Sequence, residues 1–206
     1  MADMRAWPYE AFEADHVSGK RICNGWVHNI RWAVMGRSGY IAGANGYAQI
    51  PWEGHPWTGC TDYDDLDVSV HGGLTYGPKP SLDFWEATDA LIQETAGTDH
   101  PIVIPGFYDK PRPPAHPAVT FADCGGWIGF DTLHAWDVWS DEELARMGLV
   151  CTEEAFRRAL YGTASEYQVH WTLELVTAAA MDLARQIHVV GEMADIEYIG
   201  LRKEKG

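Results

Sequence analysis

Cysteine is scarce and never paired along the chain. Cys23, Cys60, Cys124 and Cys151 lie far apart, so no Cys-x-x-Cys zinc knuckle or redox motif is present. Four reduced thiols are the expectation. Positive charge is the second shortage: 15 Lys plus Arg face 30 Asp plus Glu, for a formal net charge of −15. Such a chain repels the phosphate backbone that supplies most nucleic-acid affinity, so direct nucleic-acid binding is not expected. No apolar run reaches the roughly eighteen residues needed to span a bilayer. The stretch opening Met1-Ala2-Asp3-Met4-Arg5 lacks the apolar core of a secretion signal, which points to a cytoplasmic protein with no membrane partner. Internal repeats and low-complexity tracts are also missing.

What remains is a globular composition. Of 206 residues 46% are hydrophobic, and ten are Trp. That supports one core of ordinary size, so residues 1–206 are expected to form a single domain. Apolar and aromatic residues alternate with Gly and polar residues from Ile22 to Tyr47, a pattern suited to strands. The glycine-rich Gly36 to Gly46 stretch reads as turns around a short strand at Tyr40 and Ile41. In Asp67-Val-Ser-Val-His71 the period is two, with Val68 and Val70 on one side and Asp67, Ser69 and His71 on the other. Gly72 and Gly73 permit a bend before Leu74-Thr-Tyr76. A second strand is expected over 121–131, where Trp127, Gly129 and Asp131 share one face and Ile128 and Phe130 the other.

Helices are marked by their caps. Ser81 is the expected N-cap of a helix over about Leu82 to Thr95, stopped by Gly97. A proline-rich excursion follows, making about 78–117 a helix plus insertion that could serve as a lid. Ser140-Asp-Glu-Glu143 is a capping box for a short helix closed by Gly148. Thr152 begins another helix through Leu160. Ser165-Glu-Tyr-Gln168 opens the long C-terminal helix over about 165–190, whose Leu173, Val176, Ala180, Leu183 and Ile187 form an apolar stripe. The fold class is therefore α+β: a mainly antiparallel sheet, containing residues 67–76 and 121–131, packed by that helix.

Several motifs stand in a fixed order: Gly39-Tyr-Ile, Gly54-His-Pro-Trp, Val70-His-Gly-Gly-Leu-Thr-Tyr76 and Gly126-Trp-Ile-Gly-Phe-Asp-Thr-Leu-His-Ala-Trp-Asp137. In this combination the chain resembles a family of uncharacterised small bacteriophage and prophage proteins with His-Gly-Gly-Leu-Thr-Tyr and Gly-Phe-Asp-x-x-His-x-x-Asp elements. The likeness covers residues 36–76 and 121–139 and the C-terminal helix, while the segment 78–117 is longer than in the smaller members. The resemblance implies a phage accessory protein acting in the host cytoplasm, in takeover or counter-defence, and little about chemistry.

Two constellations carry candidate chemistry. His71 can act as acid, base or ligand, and Gly72 and Gly73 let backbone N–H groups approach an anion. No Gly-x-Ser-x-Gly elbow accompanies them, so an esterase is excluded. Asp131, His134 and Asp137 are spaced three apart. Neighbours in that set can share a cation from one helix, but all three converge only if Asp131 sits on a strand end or turn. One histidine and two carboxylates would suit a divalent transition metal. Equally, Asp131 reads as an N-cap, His134 as a satisfied interior residue and His71 as a hairpin histidine.

Three functions follow. The first is a binder of a small polar, nucleotide-like ligand through His71, Gly72, Gly73, Tyr76, Trp127, Asp131, His134 and Trp136. The second is a hydrolase with His71, Asp131 and His134 as catalytic groups and Asp131, His134 and Asp137 as metal ligands. The third is an acidic module for a host protein. Homo-oligomerisation, the identity of any cofactor and the ligand itself are left open, and the absence of a nucleophile motif favours the binder.

Overall fold

The computed structural model describes residues 19–39, 42–132, 137–151 and 168–203, the last nine of these by backbone alone. Four strands form one sheet in chain order: β1 (Gly19–Val27), β2 (Ile30–Arg37), β3 (Gly43–Gln49) and β4 (Trp127–Phe130). Every neighbouring pair is antiparallel. The long C-terminal helix, here α3 (Leu173–Lys203), crosses β3, β2 and β1, so the expected α+β architecture is the observed one. Ahead of it, the described residues include the helices α1 (Phe84–Thr95) and α2 (Asp141–Met147). A second, two-stranded sheet pairs β5 (Asp137–Trp139) in parallel with β6 (Val169–Trp171). Among the described residues no helix is long and apolar enough to cross a membrane.

The helix stripe is the main source of burial. Val176, Ala180, Leu183, Ala184 and Ile187 are fully buried, at the three- and four-residue steps that keep them on one face. They meet Ile30, Trp32, Val34, Ala44, Ala48, Ile128 and Phe130 in one cluster. The opposite face of the sheet carries a smaller cluster of Ala33, Met35, Tyr47 and Trp127. Burial on both faces explains why β2 reads as a nearly continuous apolar run.

Close approach depends on glycine at two facing positions. The register sets Gly46 opposite Phe130 and Tyr47 opposite Gly129, so each strand lays an aromatic ring over the other's glycine. A Cβ on Gly46 would lie 2.4 Å from the Phe130 ring, and one on Gly129 would lie 2.3 Å from Tyr47 and 2.8 Å from a backbone oxygen. The Gly36–Gly46 stretch therefore differs from the expected turns. Gly36 ends in β2 and Gly43 to Gly46 lie in β3, because small residues there admit α3 and Phe130. Tyr40 and Ile41 lie outside the described residues.

Residues 67–76 are not a strand, contrary to expectation. Val68 and Val70 do pack toward the main core, as their alternation predicts. The backbone of Ser69, however, pairs with a side chain: its N–H donates to Gln186 Oε1 at 2.8 Å, and its carbonyl accepts from Gln186 Nε2 at 2.9 Å. Thr75 and Tyr76 touch the sheet at Gly129: the Thr75 N–H donates to the Gly129 carbonyl at 2.8 Å, and Tyr76 forms an isolated antiparallel bridge to Gly129. The strand expected over 121–131 is likewise shorter, since residues 121–126 are turns and Gly125 and Gly126 adopt positive φ.

Helix ends show which caps act. Ser140 accepts from the Glu143 N–H and Gly148 closes α2 in the left-handed region, as expected. Asp83, not Ser81, caps α1. The C-terminal helix begins at Leu173, later than the expected start at about 165, because Val169 to Trp171 extend to pair with β5, and the expected capping residue Ser165 lies outside the described residues. Thr172 Oγ1 then accepts from the Leu175 N–H, and Glu143 Oε2 accepts from the Leu173 N–H at 3.0 Å, placing negative charge where the helix dipole favours it. The helix expected from Thr152 to Leu160 falls outside the described residues. In the 78–117 segment, bridges Lys79↔Val119 and Leu82↔His116 close the base. The proline-rich return packs Phe107 on Trp85 of α1, ring centroids 4.1 Å apart.

All four cysteines are free thiols. Cys124 is buried, and burial pushes its thiol up to about 12, which suppresses the reactive thiolate. In denaturant without reductant, a thiol reagent should titrate four groups. In the native protein Cys124 should be the slowest to react, and a Cys124 that labels as fast as Cys151 would contradict its burial.

Candidate functional site

The turn Val70-His71-Gly72-Gly73 is closed by the Gly73 N–H donating to the Val70 carbonyl at 3.2 Å. Gly72 takes φ +69° at the third position, where a type II turn requires the left-handed region. This places His71 at the second position with its ring directed at β5. His71 Nε2 donates to Asp137 Oδ1 at 2.8 Å, and Trp171 Nε1 of β6 donates to the same oxygen at 2.9 Å. The Asp137 side chain is 1% exposed and that of His71 34%, so a buried acceptor orients a histidine that solvent still reaches. The His71 and Trp171 rings meet edge to face, centroids 5.1 Å apart.

Short β5 creates this geometry. Asp137 and Trp139 alternate inward around Val138, and their register partners are Val169 and Trp171. The indole of Trp139 donates to Thr132 Oγ1 at 2.9 Å, and Thr132 Oγ1 donates to the Ala44 carbonyl at 2.7 Å. A buried side-chain chain thus ties β5 to β3 of the main sheet. Satisfied polar networks of this kind hold a site in one arrangement.

The candidate residues separate into groups. His71, Gly72, Gly73 and Asp137 come together. Trp127 is fully buried and Tyr76 packs edge-on to Tyr47, both in the cluster on the opposite sheet face. The structure therefore does not bring them to the His71 ring, since β4 directs Trp127 and Phe130 to opposite sides. Asp131 follows β4 directly and is partly buried. His134 and Trp136 lie outside the described residues, as does any cation set that needs His134. Among the described residues no three of His, Cys, Asp or Glu converge to hold a metal. Trp171 belongs to none of the sequence motifs. Its signal is the alternation Val169-His-Trp171, which matches Asp137-Val-Trp139.

His55, the other histidine with motif context, is a strut. Its Nε2 donates to the Ile187 carbonyl at 2.9 Å and its Nδ1 accepts from the Trp57 N–H at 3.1 Å. Burial holds its pKa below the usual imidazole value, partly offset by the bond to Ile187. Both ring nitrogens are committed to backbone groups, which fixes the neutral tautomer with hydrogen on Nε2. Lys79 pairs with Tyr63 and Asp64, and Arg112 with Asp83 and Glu86, so neither cation faces His71. Compared with protein-family models, with curated proteins and with solved structures, the chain matches none.

Proposed function

We propose that the protein is a phage-type accessory protein that binds a small polar ligand beside His71, with counter-defence as its biological setting. The observation that carries this reading is the His71 to Asp137 pair. A buried carboxylate fixed by Trp171 holds a partly exposed imidazole on a glycine turn, the kind of convergent, pre-oriented polar group a ligand site uses. The resemblance on the His71 and Asp131 to Asp137 motifs supports the phage assignment. In the alternative, a metal-dependent hydrolase built on Asp131, His134 and Asp137, the cation would compete with two donors already on Asp137 Oδ1. That arrangement favours the binder.

The test is a thermal-shift series with nucleotides and neutral nucleosides, each with and without chelator and divalent metals. A ligand present at about a hundred times its Kd adds roughly 2.7 kcal/mol of stability, a rise of several degrees for a chain of this size. His71→Ala should abolish that rise yet shift the unliganded Tm little, because the ring is one-third exposed. Stabilisation by a transition metal and a fall on chelation would establish the hydrolase reading instead. A panel without effect, together with strong destabilisation by His71→Ala, would make the histidine structural.

A further inference from the structure

At the end of the sheet formed by the β1–β2 turn and the chain leaving β3 lies an open cleft of about 330 Å³ that shares no residue with the His71 site. Its volume falls within the range of small-ligand clefts. Trp26 forms one wall and is 64% exposed, an unusual placement for a large aromatic ring that a core has not absorbed. Its cross-strand partner is Arg31. The Arg31 guanidinium lies 5.9 Å from the Trp26 ring centroid and 5.2 Å from that of buried Trp127, so the exposed indole is backed by a cation that is itself seated on a buried one. Gln49 completes the support, accepting from Arg31 at 3.4 Å and donating to the Gly125 carbonyl at 2.7 Å.

The other wall is Trp52, half-buried and edge-on to Phe121 with ring centroids 5.2 Å apart. Asn29 and Glu53 stand at the rim, both exposed. We propose that this cleft binds a neutral sugar ring. The C–H face of a sugar is apolar and carries weak positive charge, which complements the negative face of the Trp26 indole. Sugar hydroxyls both donate and accept. The Glu53 carboxylate accepts, and the Asn29 amide both donates and accepts. A phosphate-bearing ligand fits less well, since it would meet Glu53 and a chain of net charge −15.

Calorimetry and saturation-transfer NMR on the full chain with glucose, galactose, mannose, N-acetylglucosamine and maltose, and with adenosine as a flat competitor, test this assignment. At least one sugar should bind saturably. Trp26→Ala should weaken that binding about tenfold or more, while Trp26→Tyr, which keeps a ring, should retain most of it. Glu53→Gln should alter the preference among sugars. His71→Ala should leave sugar binding unchanged, which separates this cleft from the ligand site proposed above. Circular dichroism of Trp26→Ala should match the wild type. The assignment is overturned if no sugar saturates, if adenosine alone binds, or if Trp26→Ala binds sugar as the wild type does.

Discussion

Replacing Leu183 with Asp is expected to leave no cooperatively folded protein. Leu183 is fully buried at the centre of the α3 stripe, within a cluster that includes Ile128 and Phe130 of β4. A carboxylate there has no cation beside it in the apolar cluster, and it must either stay charged without water or take up a proton. Either route costs several kcal/mol, against a total stability of roughly 5–15 kcal/mol for a typical domain. The loss of leucine packing adds to this, at about 2–5 kcal/mol for large-to-small changes in a core. The expected result is insoluble expression, or a chain with no thermal transition. A soluble variant that melts at the wild-type temperature would mean that α3 does not pack through this face. Leu175, which is half exposed on the same helix, supplies the control: Leu175→Asp should express and melt close to the wild type.

The second large effect is expected at Asp137, where one buried oxygen serves two donors. In Asp137→Ala the Trp171 indole N–H loses its acceptor inside the protein, an unmet-donor cost of about 1–3 kcal/mol. His71 loses the partner that orients it but can turn to water, so its contribution is smaller. With the cavity left by the carboxyl group, a total loss of about 3 kcal/mol is expected, lowering Tm by roughly 6–12 °C in a chain of this length. Asp137→Asn retains an oxygen for Trp171 and should cost about half as much. Both variants should lose the ligand-induced rise in Tm that depends on His71. Denaturant midpoints with an unchanged m-value measure the stability part. Were Asp137→Ala as stable as the wild type, the buried pair would not be formed in solution.

Parts of this fold are written locally. The α3 stripe is legible because 3.6-residue periodicity is a property of one segment. The ends of α2 are legible because Ser140 and Gly148 act on their own backbone neighbours. The strand character of Ile22 to Tyr47 is legible for the same reason, through alternation. Residues 67–71 show where local signals stop: their alternation correctly sends Val68 and Val70 inward, yet cannot reveal that the backbone partner is a glutamine side chain on α3. The start of α3 shows it too, because no local signal reveals that Val169 to Trp171 extend to pair with β5 before the helix begins at Leu173.

The candidate site lies beyond that limit. The sequence by itself determined the class of fold, the inward face of the long helix and the residue types worth watching, His71 and Asp137 among them. Which carboxylate His71 meets was decided only by the tertiary structure. Asp137 is 66 residues from His71, and Trp171 a further 34 along. They converge because two three-residue strands pair in parallel and turn Asp137 inward beside Trp139. Separations of that size carry no periodic signal. Partner choice there is set by packing, by which buried donors need an acceptor and by the glycine turn that aims the histidine.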